Sequence, residues 1–481
     1  MSAPVTREQF LPLFVAVFLP MFMAAVDQTL LATATPAIAA SLGGLRDTSW
    51  IVVGYLLASA VIVPVYGRLG DRHGRRELLL VALGIFTAGS LACGLAQSFP
   101  QLVAARVLQG LGGGGLMTLS QALIGELVAP RDRVRYQAWF ALVFTTSSIA
   151  GPVIGGIVVS HVSWRWLFLA NLPLAAIAAW RLLRLPRTEQ PQQPAGGLDL
   201  PGHVLFALGA LATLYWLTSG GHRFAWGSTE SVVLAAFGAA LLIALYLYER
   251  RQPAPFLPID LLHERTIGLL TLLVLLFAAC LFAVIFFLPI YLQLAHQVTP
   301  QFSGLLLLPV TGGMVLAALG SSRILARTGR PHWIPVSGMS LSAVALLLLG
   351  LVPPSFTLIA VLGFFAGLGF GSVMPTTQVT VQTVAGRERL GAATAIVALA
   401  RSTGGAAGAA LFGAVVFAAS PEFASHAAQA DHDPAALASA FHCAFLLTGG
   451  IAALAAIVAS RIPHIELWPP KAPVAPPPSE P

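Results

Sequence analysis

Long apolar runs separated by brief polar punctuation dominate the chain. About 20 mostly apolar residues let an α-helix cross roughly 30 Å of hydrocarbon. Runs of that kind lie at 11–34, 49–67, 78–97, 102–124, 136–159, 166–183, 203–219, 231–248, 268–291, 303–322, 333–351, 357–378, 392–416 and 440–459. The pattern predicts an all-α polytopic membrane protein with fourteen spans. The first run is too long for a signal-peptide core and carries Asp27, so it reads as an uncleaved span. Most connections are short, which favours antiparallel neighbours in one compact bundle. Two longer links, 184–202 and 249–266, bracket spans seven and eight. The expected order is a six-helix bundle over 1–185, two inserted helices over 186–265 and a second six-helix bundle over 266–462. Residues 463–481 form a proline-rich tail, expected to be extended and disordered with no part in transport.

Charge then orients the spans. With the N-terminus placed in the cytoplasm, 21 of the 26 Lys and Arg residues fall in inside segments. Only Arg46, Arg165 and Arg223 fall outside, and Arg106 and Arg401 lie within spans. A miscounted span would scramble this positive-inside asymmetry, so both termini are expected to be cytoplasmic.

Composition narrows the chemistry. Only 9% of the 481 residues are charged, against about 25% in soluble domains, so most of the surface must face lipid. The formal charge of +7 sits in the inside loops, and no nucleic-acid partner is expected. The single lysine, Lys471, lies in the tail, which leaves no Walker A lysine to reach a nucleotide phosphate. Cys93, Cys280 and Cys443 lack metal-ligand or C-x-x-C spacing and read as small hydrophobes. With no H-E-x-x-H and no cluster of nucleophile, metal or acid–base groups at one depth, neither a metal site nor an enzyme is expected.

Several motifs stand in order along this frame. Gly67-Arg68-Leu-Gly70-Asp71-Arg72-His-Gly74-Arg75-Arg76 fills the inside turn between spans two and three. Its glycines permit a tight turn and close helix approach. Asp71 can accept bonds from a helix N-terminus or an arginine. A weaker echo, Ser322 to Arg330, has Ala326 where Asp71 would be, as in transporters built from repeated halves. Asp27-Gln-Thr with Pro36 in span one, Arg106-Val-Leu-Gln109-Gly110 in span four and Gly151-Pro152-Val-Ile-Gly155-Gly156 in span five follow. Trp164-Arg-Trp-Leu-Phe-Leu-Ala-Asn171-Leu-Pro173 opens span six. Together these resemble the major facilitator superfamily, and within it the fourteen-span drug:proton antiporters of the EmrB/QacA type. The asparagine common in the first-span motif is Ala32 here.

The resemblance implies a major facilitator fold of two six-helix bundles plus two inserted helices. It also implies a proton-coupled exporter of hydrophobic or cationic small molecules, working by alternating access in a bacterial inner membrane. No cofactor is implied, since the proton gradient drives transport. The expected partners are the substrate, protons and the lipid bilayer, with a periplasmic adaptor protein and an outer-membrane channel as candidates and a monomer as the working unit. The Gly151–Gly156 motif marks exporters and speaks against an importing symporter. An exporter dedicated to one metabolite or antibiotic is the alternative on the same fold.

Ionisable residues deep inside spans are functional candidates. At 1.5 Å per residue, Asp27 lies roughly 10 Å and Arg106 roughly 7 Å below the outer surface. The two could pair if their faces meet, which the sequence leaves open. Plainer readings are an arginine snorkelling outward and a helix-packing acid. Burial favours a protonated carboxyl and a neighbouring arginine an ionised one, so Asp27 could exchange a proton with substrate or a basic partner. Gln109 would help Arg106 move protons or orient Asp27. Arg401, near mid-bilayer in span thirteen, could bind an anionic group, pair with an acid or lock the bundle, and a structural or coupling role is favoured. Gly151 and Gly155, four apart, share a face suited to close helix contact, and Pro152 can bend span five. Such a seam could hold a cytoplasm-loaded cavity shut on its outer side. Gly112 to Gly115 fit either flexibility or tight packing. Tyr55, Trp139, Phe140, Phe144 and Tyr291 could stack on drugs or serve as ordinary packing.

Overall fold

The computed structural model describes residues 7–43, 47–127, 147, 151, 153–185, 199–220, 223–252, 255, 259–352, 355–386, 389–419 and 434–467. The helices of the first half are α1 (Arg7–Leu42), α2 (Ser49–His73), α3 (Arg75–Leu95), α4 (Phe99–Leu127), α5 (153–161), α6 (Trp166–Leu169) and α7 (Asn171–Leu183). The inserted pair is α8 (Leu200–Ser219) and α9 (Thr229–Glu249), followed by the short α10 (Ile259–His263). The second half has α11 (Arg265–Ala295), α12 (Pro300–Leu305), α13 (Leu308–Thr328), α14 (Trp333–Leu351), α15 (Phe356–Ala385), α16 (Leu390–Ala419) and α17 (Pro434–Ser460). Among the described residues there is no strand, only an isolated bridge between Gly220 and Phe224.

Twelve spans are long and apolar enough to cross a bilayer, and α1, bent by 67° between Leu31 and Thr33, raises the number to thirteen. The expected fourteenth, 136–159, lies mostly outside the described residues, so the described count falls one short of the sequence reading. Spans Trp166–Leu183 and Trp333–Leu351 match the predicted runs residue for residue. Several other helices begin or end a few residues away from their apolar runs. Glu264 accepts from Ile267 N at 2.7 Å and starts α11 ahead of its apolar run.

Helix pairing repeats between the halves. In the first, α4 packs on α2 and α3, and α7 packs on α1 and α3; in the second, α15 packs on α13 and α14, and α17 on α11 and α14. The same neighbours recur in the same order in the second half, as in repeats related by an axis along the membrane normal. Of the inserted pair, α8 packs on α2 and α16 as well as on α9. Only Ser231, Gly238, Leu245 and Glu249 of α9 are buried, so its remaining surface is left to lipid.

Close glycine contacts set two of these packings. A Cβ at Gly112 would strike the Phe86 backbone, and one at Gly114 would lie 2.8 Å from Ser59 O. The four-glycine run therefore seats α4 between α2 and α3, which answers the choice between flexibility and packing.

The arginine-rich end is fastened within each half. Gly74, at φ 90°, ends α2 and begins α3. Arg75 Nη1 then donates to Ala122 O at 2.8 Å, and Arg76 Nε and Nη2 donate to Leu182 O and Leu183 O, each at 2.8 Å. Cations thereby cover the carbonyl ends of α4 and α7. In the second half, Arg330 Nη2 meets Glu466 Oε1 at 2.8 Å, and Leu467 N donates to Gly329 O at 2.9 Å. His464 to Leu467, which open the segment expected to be a tail, thus lie on the α13–α14 turn, while 468–481 lie outside the described residues.

The two halves meet at the arginine-poor end. Gln293 Nε2 on α11 donates to Thr33 O on α1 at 3.1 Å and to Ser303 Oγ at 2.9 Å. Gly413 on α16 approaches the Ser49 side chain at the start of α2.

Candidate functional site

The site is built where α1, α2, α3, α4 and α7 face one another. Arg106 and Gln109 are three apart on α4, which puts both on one face of that helix. That face meets Asp27 on α1, and the three side chains are 1%, 0% and 2% exposed, respectively. Arg106 Nη1 donates to Asp27 Oδ2 at 2.5 Å and to Gln109 Oε1 at 2.5 Å. Gln109 Nε2 donates to Asp27 Oδ1 at 2.9 Å, so each carboxylate oxygen holds a donor. The pairing that the sequence left open is made.

Arg106 has further supports on other helices. Its Nε donates to Ile51 O on α2 at 3.0 Å, and its Cζ lies 4.3 Å from the centre of the Tyr55 ring. A guanidinium over an aromatic face is favourable when desolvated. Phe168 on α6 closes the far side at 5.9 Å. The arginine is therefore turned inward, which removes the snorkelling reading. Tyr55, which the sequence offered as a stacking residue, stacks on the protein's own arginine.

Two members of the network went unnoticed in the sequence as site residues. Ser90 Oγ on α3 accepts from Gln109 Nε2 at 2.7 Å and from Asn171 Nδ2 on α7 at 3.2 Å. Asn171 is the asparagine of the Trp164–Pro173 motif, which gave a position but no role. Ser90 stands in an apolar run with nothing to mark it.

The other predicted residues are placed as follows. Arg401 on α16 lies deep in the bundle, within electrostatic reach of Tyr55 across the seam between the halves. Gly151 meets the Thr29 side chain, and a Cβ at Gly155 would lie 2.6 Å from Leu30 O, both on α1. A Cβ at Gly156 would lie 2.7 Å from Pro300 O, at the start of α12. Thr29 Oγ1 also donates to Ser147 O at 3.1 Å. The motif thus wedges the α5 segment between α1 and the second half, at the arginine-poor end. Pro152, the side chains of Arg68, Asp71 and Arg72, and Trp139, Phe140 and Phe144 lie outside the described residues. Gly67 has open space around its Cα, whereas Gly70 faces Leu119 at 3.0 Å. Tyr291 is buried and hydrogen-bonded to His296 Nε2 at 3.0 Å. Among the described residues no group of three His, Cys, Asp or Glu side chains is arranged to hold a metal.

Repeated helical halves of membrane-spanning length, with a buried, hydrogen-bonded ion pair inside the first, define the class as a polytopic membrane protein. The chain belongs to the Major Facilitator Superfamily, whose family model matches residues 17–409 and 331–480. It is 34% identical over 409 residues to an uncharacterized MFS-type transporter of Mycobacterium tuberculosis, covering 84% of this chain but only 59% of that relative's length. Multidrug transporter protein MdtP of Bacillus subtilis is 32% identical over 84% of this chain and 75% of its own. An efflux pump of Gibberella moniliformis is 31% identical over 77% of this chain and 67% of its own. Among solved structures, a D-xylose-proton symporter aligns with a TM-score of 0.64 at 15% identity, covering 95% of this chain and 98% of its own. A bacterial homolog of the lysosomal transporter Spinster, inward-facing, aligns with a TM-score of 0.63 at 17% identity, covering 94% and 96%. These structures share the fold, which belongs to transporters rather than enzymes.

Proposed function

We propose that the chain is a proton-coupled exporter that moves hydrophobic or cationic small molecules out of the cytoplasm by alternating access. The observation that carries the reading is the buried Asp27–Arg106–Gln109 cluster, which ties α4 to α1, the helix that also closes the arginine-poor end. The names of the bacterial and fungal relatives, a multidrug transporter and an efflux pump, support the direction of transport. In this reading both termini are cytoplasmic, the arginine-poor end faces outward and a bacterial inner membrane is crossed fourteen times, with 136–159 as the fifth span. Two six-helix bundles, 1–185 and 266–462, rock about the site while the pair within 186–265 rides on α8. No cofactor is needed, a monomer suffices, and a periplasmic adaptor protein with an outer-membrane channel could carry the substrate onward.

The geometry supplies a coupling step. Each oxygen of Asp27 accepts one hydrogen bond and keeps a second lone pair, so an arriving proton can bind there and cancel the charge that holds Arg106. Arg106 keeps Ile51 O, Gln109 Oε1 and the Tyr55 face when it lets go. Neutral Asp27 has lost its charge-assisted bond, and the hold of α4 on α1 is then weakened. Within two turns further along α1 lie Thr29 and Thr33, the contacts with the α5 segment and with Gln293. Proton uptake therefore loosens the helix that shuts the outer end, and proton loss clamps it again.

The test is Asp27→Asn, purified and reconstituted in liposomes. Substrate-driven proton release should fall to background while the protein stays monodisperse; undiminished release overturns the reading. A drug-susceptibility panel in an efflux-deficient host, with and without a protonophore, separates the alternatives. Broad, protonophore-sensitive resistance supports multidrug export, and one affected compound supports the dedicated exporter.

A further inference from the structure

We propose that Ser90 and Asn171 are positioning residues for the proton step, holding the Gln109 amide in the one orientation that donates to Asp27. The inference rests on the reading of Asp27 as the proton site. Arg106 offers only donors, so the end of Gln109 that lies 2.5 Å from its Nη1 must be the carbonyl oxygen. Nε2 is then turned the other way, with two hydrogens to place. One goes to Asp27 Oδ1 at 2.9 Å and the other to Ser90 Oγ at 2.7 Å. Asn171 Nδ2, at 3.2 Å, takes the second lone pair of the same Ser90 oxygen. With both lone pairs engaged, the Ser90 hydroxyl cannot turn its proton against Gln109. All of these side chains are buried, so no solvent stands ready to replace a lost partner.

The chain of bonds runs α7 to α3 to α4 and ends on α1. It fastens Gln109 to α3 and α7 while α2 holds Arg106, and leaves Asp27 on α1 as the member that can depart. Neutral amides and a hydroxyl with filled lone pairs do not pass protons along, so this chain orients and does not relay. The titratable or charged groups around Asp27 are Arg106 on α4, Tyr55 on α2, Cys93 on α3 and, across the seam, Arg401 on α16. From α7 comes only the neutral Asn171. A donor held on Oδ1 favours the ionised carboxylate, so loosening it should let the proton be retained to higher pH.

The experiment measures substrate-driven proton release in liposomes against pH for the wild type, Ser90→Ala, Asn171→Leu and the double variant, with Asp27→Asn as the reference. Each single change should move the alkaline limb up by as much as about one pH unit, a tenfold change in proton concentration, with substrate KM unchanged. The double variant should shift no further than Ser90→Ala alone, because Asn171 acts through the serine oxygen. Ser90→Thr, which keeps that oxygen, should leave the limb in place. Asn171→Ala replaces the leucine variant if that protein does not reconstitute. An unmoved limb in monodisperse Ser90→Ala and Asn171→Leu overturns the proposal, as do additive shifts, which would mark two separate packing effects. A wild-type limb that survives in Asp27→Asn overturns this proposal and the proton-site reading together.

Discussion

Asp27 and Arg106 share a desolvated environment, so removing either leaves a charge without its counter-ion. Breaking one member of such a buried pair typically costs about 3–5 kcal/mol, more than the pair itself adds over an apolar substitute. Arg106→Ala should accordingly lower the thermal unfolding midpoint in detergent. Adding Asp27→Asn to it should recover much of the loss, and equal midpoints for the single and double variants would show that the two charges do not depend on each other. The candidate status of both residues was legible in the sequence, because charge is rare inside apolar runs and stands out. Their contact was not, since two helices of known depth can still present any pair of faces. Ser90 was invisible for a related reason: a serine in an apolar run is common, and only the arrival of Gln109 and Asn171 gives it a role.

Helices α1, α5 and the turn after α13 carry the next set of consequences. Leucine at Gly155 would place side-chain atoms against Leu30 O, where even a Cβ would lie at 2.6 Å. Gly155→Leu, and likewise Gly151→Leu, should force α5 off α1 and abolish export, and retained resistance would refute the closing role of that seam. At the other end, His332 and His464 stack with centroids 4.1 Å apart beside the Arg330–Glu466 pair. Burial, and then the nearby His464, lower the pKa of His332, against a smaller opposing pull from a backbone bond to Ile462. The docked state therefore binds fewer protons than the free one. Its contribution is complete above the ordinary histidine value near 6.5 and is lost as pH falls through and below it. Labelling of an Ile465→Cys variant, with Cys93, Cys280 and Cys443 replaced and the rate taken relative to a free thiol at the same pH, should be slow at about pH 7.5 and quicken several-fold by about pH 5.5. His332→Ala should flatten that dependence. The helices themselves were readable because apolar length sets a span, whereas this docking was not, since a short polar segment after the last span carries no periodic signal. The α5 motif announced close approach through its glycine spacing but not which helix would be approached.

At the scale of the whole molecule, the proposed export cycle parts the repeated halves at the end where they are joined, and something must supply the work. A proton crossing about 150 mV releases roughly 3.5 kcal/mol. Each tenfold concentration gradient takes about 1.4 kcal/mol, so one proton per neutral substrate sustains at most about a 300-fold gradient. In the proposed cycle Asp27, paired with Arg106, is the one coupling acid, which sets one proton per cycle. Vesicles clamped at about 150 mV without a pH difference should then stop net transport of a neutral substrate near that ratio, and halving the potential should reduce the limit to its square root, roughly 20-fold. A standing gradient far above about 300-fold would require a second proton and a second acid, and would send the search to the residues between 128 and 146. The same vesicles carrying Asp27→Asn should reach no gradient at all, because a bundle that cannot exchange a proton at its clamp has no step at which the potential can act.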